Sequence, residues 1–405
     1  MISQAIILVG GKGSRLGSLT KSQAKPILPV CGTPFLDRIL FQVAQYGVRH
    51  VLLLAGHGGE EVRALYDKKT ISSAYIEVIL EPEPLGTAGA LAYCSDRLEE
   101  SFLLMNGDSI FHINLFNFVE QHKGHDFALA LRAYSDVSRY GQVIMNEQEQ
   151  VVQFADKSGH GAGVINAGIY ILNKSILNYV PKTGFCSMEN EVFPSIVQER
   201  LLYGSEHDGF FLDIGVPESY QYAQNHLDVN LTAPALFLDR DGVLNVDSGY
   251  VSTKERFVWR KGVFEALTQA LRLGYRIIVV TNQSGVARGY YTRQDVIDLH
   301  DWINDELRHH GSHICSFYYC PHHIEGTVAE YIRPCFWRKP EPGMLLKAFE
   351  CWNIDKEKSF LLGDKQTDLN AAEAAGIQGF LVTNKPLIDD FITAHQGLQA
   401  RRHCE

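Results

Sequence analysis

The stretch Ala235-Leu236-Phe237-Leu238-Asp239-Arg240-Asp241-Gly242-Val243 decides how this chain reads. Four apolar residues make a short core strand, and the chain then turns on two aspartates and a glycine. Carboxylates at i and i+2 just past a buried strand both face the crevice at its C-terminal end, where open parallel sheets bind ligands. One carboxylate there can attack phosphorus and carry an aspartyl-phosphate. The other can protonate the leaving oxygen and later activate water. The pair also needs a cation, because carboxylates and phosphate repel each other.

The partners of such a pair follow in order at the ends of later apolar runs. Val279-Val280 leads into Thr281-Asn282-Gln283-Ser284-Gly285, hydroxyls and amides suited to phosphate oxygens. Arg338-Lys339-Pro340 supplies cations, and Leu361-Leu362 leads into Gly363-Asp364-Lys365-Gln366-Thr367-Asp368. Those last two carboxylates can complete a magnesium site of oxygen ligands. Alone, an Asp-x-Asp reads as a turn and a Thr-Asn as a cap. A calcium loop is excluded because no glutamate stands at the EF-hand spacing. Four signals at strand ends in the right order read as one site.

Short apolar runs also recur earlier, at Ala5–Val9, His50–Ala55, Tyr75–Leu80 and Phe102–Met105, with helix-period stretches between them. Pro34–Tyr46 places Phe35, Ile39, Val43 and Tyr46 on one face, and Gly262–Leu273 does the same with Val263, Leu267 and Leu271. Thr292 with Asp295 reads as a capping box opening the next helix. Strands alternating with helices predict α/β architecture with largely parallel sheets. The alternation starts afresh at Ala235, after the polar segment Asn225–Pro234. We therefore expect domains over 1–230 and 233–390, and a C-terminal tail over 391–405, with a terminal helix from Leu387 fading into it.

With 405 residues, 45% hydrophobic and 21% charged, the chain fits a soluble globular protein of two ordinary domains. Its net charge of −10 argues against broad nucleic-acid binding but not against nucleotides. No segment is long and apolar enough to span a bilayer, and Met1–Val9 lacks a basic leader, so no membrane partner and a cytoplasmic location are expected. Eight thinly spread cysteines are expected to stay reduced.

The first strand ends in Gly10-Gly11-Lys12-Gly13-Ser14-Arg15-Leu16, followed by Lys25-Pro26. Glycines let the backbone approach phosphates and turn N–H groups toward them. Neither the P-loop pattern nor the dinucleotide fingerprint is met. Asp108 in Asn106-Gly107-Asp108-Ser109 and Asp213 in Asp213-Ile214-Gly215 also follow apolar runs. Two aspartates converging on one cation opposite a basic glycine loop suit transfer on a nucleoside triphosphate.

Residues Ala235 to Thr383 resemble the haloacid dehalogenase superfamily, and within it the heptose-bisphosphate and histidinol-phosphate phosphatase branch. The resemblance is carried by Leu238–Asn245, Thr281–Gly289, Cys320-Pro321-His322-His323, Arg338-Lys339-Pro340 and Gly363-Asp364-Lys365. It implies a parallel α/β sandwich with Asp239 as nucleophile and Asp241 as acid and base. Thr281, Asn282 and Lys339 would hold the phosphoryl group, and Arg338 would contact the distal end of the substrate. Asp239, the Asp241 carbonyl and Asp364 would hold magnesium. The branch carries a structural zinc, for which Cys320, His322 and Cys335 fit three ligands while Trp337 stands at the fourth. Structural zinc sites want four ligands. The expectation is therefore that zinc is lost and aromatic packing replaces it, the alternative being completion by His323, another residue or water.

Residues Met1 to about Asn225 resemble the sugar-phosphate nucleotidyltransferases, a Rossmann-like fold with a mixed, mostly parallel sheet. The carrying residues are Gly10–Leu16, Lys25-Pro26, Glu81–Ala90, Asn106-Gly107-Asp108, Asn166-Ala167-Gly168-Ile169-Tyr170 and Asp213-Ile214-Gly215. The resemblance implies magnesium on Asp108 and Asp213, with Arg15 and Lys25 on the triphosphate. Gly10, Gly11, Gly13, Gly86 and Thr87 would lie against the nucleotide. Lys157, in Phe154-Ala155-Asp156-Lys157, would hold sugar phosphate, and Glu189 the sugar hydroxyls. The Glu-Pro-x-Pro-Leu-Gly-Thr stretch is most similar to guanylyltransferases of heptose 1-phosphate.

Together the two resemblances imply a bifunctional enzyme of a bacterial cytoplasm with small-molecule partners, heptose phosphates and GTP, and no nucleic-acid partner. It would remove the 7-phosphate of a heptose bisphosphate and make GDP-D-glycero-α-D-manno-heptose for a surface glycan. A hexose-1-phosphate guanylyltransferase fused to another small-phosphate phosphatase, a nucleotide-sugar sensor without turnover, and self-association all stay open at this point.

Overall fold

The computed structural model describes residues 1–11, 13, 15–17, 24–155 and 161–402. Lys157, with Lys12, Asp156 and Cys404, lies outside the described residues. The chain forms two compact units, Ile2–Leu231 and Thr232 onward.

The first unit is built on an eight-stranded sheet. Its spatial order is Leu202–Glu206, Phe127–Tyr134, Gly163–Asn173, Ser101–Asn106, Gln4–Leu8, His50–Ala55, Ala74–Leu80 and Thr70–Ile71. The central strands run parallel, Gln4–Leu8 between Ser101–Asn106 and His50–Ala55, whereas Gly163–Asn173 enters antiparallel to both neighbours. The two-residue period of a strand explains the layering. Ala5 and Ile7 join one buried cluster with Leu53 and Leu103, and Ile6 joins another with Leu52 and Leu104. Both sheet faces are covered, so these strands are near-continuous apolar runs. The helix Phe35–Gln45 buries Phe35, Ile39 and Val43 against the first cluster. The polar segment after Asn225 is largely helix: Pro217–Asn230 is helical, and Ala223, Leu227 and Leu231 are buried in this unit.

The second unit holds a five-stranded parallel sheet ordered Ser316–Cys320, Arg276–Asn282, Ala235–Leu238, Phe360–Gly363 and Gln378–Leu381. Ala235–Leu238 is central and wholly buried. The helix Val263–Arg272 packs Val263, Leu267 and Leu271 inward, and Thr292 and Asp295 make the capping box at the head of Arg293–His309.

The expected tail over 391–405 is corrected by the structure. Leu387–Arg402 is one helix, and Leu387, Phe391, Ala394 and Leu398 are buried along it. These residues recur at i, i+4, i+7 and i+11, the stripe of a helix with one face in a core. Phe391 stacks on Phe360 at 6.0 Å, and Asp390 pairs with Arg260 at 2.9 Å. The segment therefore completes the second unit.

Candidate active sites

The strand Ala235–Leu238 sets Asp239 beside the ends of Arg276–Asn282 and Phe360–Gly363, because the parallel register pairs Leu238 with Val279 and with Leu362. Asp239 is buried, and its Oδ1 lies 2.9 Å from Lys339 Nζ. The same ammonium reaches Asp368 Oδ1 at 2.6 Å and donates to Val280 O at 2.8 Å. Burial opposes the Lys339 charge, but the carboxylates of Asp239 and Asp368 outweigh it and hold the lysine pKa above its ordinary value. Burial also pushes the Asp239 carboxyl above the usual carboxylate range, with Lys339 opposing the rise.

Carboxylate oxygens of Asp239, Asp364 and Asp368 lie within 4.8 Å of one another. Asp364 Oδ1 is buried without a hydrogen-bond partner. Three converging carboxylates, one of which carries an unsatisfied oxygen, fit a divalent cation. Gly242 makes room for this group: at φ 87°, a Cβ there would stand 2.4 Å from Asp364 Oδ2.

The Asp241 carboxylate takes hydrogen bonds from Arg240 Nη2 at 2.8 and 3.0 Å, Gln283 Nε2 at 3.0 Å and Asn245 Nδ2 at 3.1 Å. Thr281 is buried beside it, with its Oγ1 accepting from Gln283 Nε2 at 2.9 Å. The side chain of Asn282 has a different setting from that expected. Its amide gives to Lys339 O at 3.0 Å and accepts from Lys339 N at 3.1 Å, so it braces the lysine backbone. Arg338 is half-buried and donates to His322 O at 3.4 Å.

Donor atoms of Cys320, His322 and Cys335 also converge within 4.8 Å. His323 does not turn its Nδ1 to them, since that atom accepts from Glu325 N at 3.0 Å. The Trp337 ring stands edge-on to Tyr318. Burial pushes the Cys320 thiol up to about 12. Among the described residues the loop offers three metal donors.

In the first unit, Asp108 and Asp213 face each other across Lys25, whose Nζ lies 2.6 Å from Asp108 Oδ2 and 3.6 Å from Asp213 Oδ1. Burial, then the neighbouring Asp108 charge, raises the Asp213 pKa. Two carboxylates crowded round one cation in this way fit a second positive ion. A cavity of about 550 Å³ opens on them, lined by Gly11, Gly13, Arg15, Arg139, Glu189 and Asp213 among others. A second, of about 600 Å³, shares Gly11, Lys25, Asp108 and Glu189 and runs over Gly10, Gly86 and Thr87. The structure thus brings together the glycine loop, both aspartates, Arg15, Lys25 and Glu189. Gly86 sits at φ +73°, and a Cβ there would meet Cys186 O at 2.5 Å. Thr87 Oγ1 accepts from Met188 N at 2.8 Å, so this hydroxyl laces the wall of the cavity.

A family model described as nucleotidyl transferase matches residues 4–229, and one described as HAD-hydrolase-like matches 336–385. The D-glycero-beta-D-manno-heptose-1,7-bisphosphate 7-phosphatase of Rhodopseudomonas palustris is 48% identical over 147 residues, 36% of this chain and 82% of that protein. The chain belongs to the nucleotidyl transferase family and, in its second unit, to the family of these phosphatases. The phosphatase of the same name from Vibrio cholerae is 44% identical over 161 residues, 39% of this chain and 87% of that protein. HddC from Yersinia pseudotuberculosis is 29% identical to the nucleotidyl transferase unit, with a TM-score of 0.51, and the match covers 56% of this chain and 100% of that one. The same values hold for HddC complexed with GMP-PN.

Three features of these sites have no role assigned by the sequence. In the nucleotidyl transferase unit, Arg139 Nη2 lies 3.5 Å from Asp213 Oδ2, and Glu81, whose pKa burial raises, lines the second cavity. In the phosphatase unit, Arg240 and Gln283 enclose the second aspartate. Glu81, Arg240 and Gln283 each stand inside a motif that the sequence offers, which places them near the sites without giving them a role. Arg139 is far from Asp213 in sequence and follows no strand-end motif.

Proposed function

We propose that the chain is a bifunctional enzyme. It removes the 7-phosphate of D-glycero-D-manno-heptose 1,7-bisphosphate and transfers GMP from GTP to the heptose 1-phosphate, giving GDP-heptose and pyrophosphate. The observation that carries this reading is the pairing, in one chain, of a unit 48% identical to a heptose-bisphosphate phosphatase with a unit like HddC, a protein solved with GMP-PN. Magnesium would neutralise charge on the reacting phosphates, held by Asp239, Asp364 and the Asp241 carbonyl in one unit and by Asp108 and Asp213 in the other.

In the phosphatase unit, an oxygen of Asp239 attacks phosphorus while the bridging P–O bond breaks and Asp241 gives its proton to the departing oxygen. Water then attacks the aspartyl-phosphate, Asp241 takes the water proton, and Asp239 is released. Lys339 and Thr281 hold the phosphoryl oxygens, and Arg338 meets the far end of the sugar. In the nucleotidyl transferase unit, an oxygen of the sugar 1-phosphate attacks the α-phosphorus and pyrophosphate leaves. No side chain need form a bond there. Arg15 and Lys25 neutralise and align the triphosphate, the glycine loop admits its backbone approach, and Glu189 orients the sugar.

The test is to offer the protein the α and β bisphosphates with each nucleoside triphosphate in magnesium buffer, following phosphate and sugar-nucleotide together. The expected outcome is phosphate release from a heptose bisphosphate and a sugar-nucleotide formed best with GTP. Release of no phosphate from either anomer would sink the heptose assignment.

A further inference from the structure

Gln283 is the side chain on which the acid, the phosphate clamp and a buried arginine meet. Its Nε2 donates to Asp241 Oδ2 at 3.0 Å and to Thr281 Oγ1 at 2.9 Å. Its Oε1 accepts from Arg240 Nη2 at 3.1 Å and from the Tyr291 hydroxyl at 2.7 Å. The two ends of an amide are chemically distinct, so two donors on the oxygen fix the nitrogen toward the carboxylate. Gln283 is 1% exposed and Arg240 0%, so water does not compete for these bonds. Arg240 is itself anchored on Val251 O at 2.6 Å. Thr281 Oγ1 takes its bond as an acceptor, which leaves the hydroxyl hydrogen for a phosphate oxygen.

We propose that Gln283 is a positioning residue for the leaving-group step, one that fixes the Asp241 carboxyl relative to the phosphoryl group held by Thr281. The proposal rests on the phosphatase reading and deepens it. In that step the Asp239–phosphorus bond forms, the bridging P–O bond breaks, and the Asp241 proton passes to the departing oxygen. A sugar alkoxide is a poor leaving group and departs only with that proton, whereas a nitrophenolate departs without it. A group that acts by aiming the acid therefore matters for an alkyl phosphate and hardly for an aryl phosphate. A mere strut of the fold affects both alike.

The measurement is kcat/KM of the full chain with magnesium on heptose 1,7-bisphosphate and on p-nitrophenyl phosphate, for wild type, Gln283→Leu and Tyr291→Phe. Gln283→Leu is expected to lose about 100-fold on the bisphosphate and less than about threefold on the aryl phosphate. Tyr291→Phe, which removes only the hydroxyl that orients the amide, is expected to shift the same ratio by about tenfold. The ratio does not depend on the fraction of active enzyme, and Tyr291→Phe reads the effect even where Gln283→Leu folds poorly. An unchanged ratio in both variants, including equal losses on both substrates, overturns the proposal. A wild-type protein that hydrolyses neither substrate sinks the phosphatase reading instead.

Discussion

Lys339 shows how much of this protein's chemistry depends on single buried charges. Its ammonium stands between Asp239 and Asp368, all three buried, and takes a third oxygen from Val280. Removing one partner of a buried ionic group leaves the others uncompensated, at about 3–5 kcal/mol. Lys339→Met should therefore lower the thermal midpoint of the phosphatase unit and abolish phosphate release. Pyrophosphate release by the other unit should stay within about twofold of wild type, since that chemistry uses none of these residues.

His122 carries a different residue-scale prediction. It is buried with His125 as a ring neighbour and bonds Ser205 Oγ at 2.8 Å, the hydroxyl that also bonds His207 at 2.9 Å. Burial lowers its pKa to about 4, with the nearby His125 and His207 adding to the fall. The unfolded chain binds this proton near pH 6.5 and the folded chain only near 4, so acid favours unfolding. The stability is fully present above about pH 6.5 and is lost as pH falls toward 4, by up to roughly 3 kcal/mol. Calorimetry between pH 7.5 and 4.5 should show the nucleotidyl transferase unit melting earlier as pH falls, and His122→Gln should flatten that slope. At this scale the sequence makes Asp239 and Asp364 legible, because each follows an apolar run and so stands at the C-terminal end of a strand, whereas Lys339 lies in a loop and is legible only through its Arg-Lys-Pro motif. The role of Gln283 was not legible. Its motif places the residue, but only the structure shows which way its amide points.

At the scale of elements, the alternation of strands and helices was readable because both sheet faces are buried and strands then appear as short apolar runs. The sequence makes the helix Leu387–Arg402 look like one that fades into a tail, although its apolar stripe is regular. Asp389, Asp390, Arg401 and Arg402 dominate the local composition, and terminal segments are often loose. The packing of Phe391 against Tyr275 and Phe360 gives the contrary expectation its size. Phe391→Ala should cost about 3–5 kcal/mol of the phosphatase unit's stability, the range for a large aromatic lost from a core. Denaturant unfolding followed by tryptophan fluorescence reports it, because all four tryptophans, Trp259, Trp302, Trp337 and Trp352, lie in that unit. A change below about 0.5 kcal/mol would mean the helix is dispensable.

At the scale of the whole molecule, each unit has its own sheet, its own core and its own convergence of carboxylates on a cation. The sequence conveyed this duality because the strand–helix alternation starts a second time at Ala235. The central claim is that two complete and separable reactions reside in one chain. The most direct test follows phosphate and pyrophosphate release in wild type, Asp239→Asn and Asp108→Asn. Each protein is given magnesium, heptose 1,7-bisphosphate and GTP, with heptose 1-phosphate supplied in a parallel reaction. Asp239→Asn should lose at least about 1,000-fold in phosphate release yet still release pyrophosphate from heptose 1-phosphate, and Asp108→Asn should do the reverse. Phosphate release that survives Asp239→Asn, or a failure of Asp239→Asn to release pyrophosphate even from supplied heptose 1-phosphate, would contradict the account.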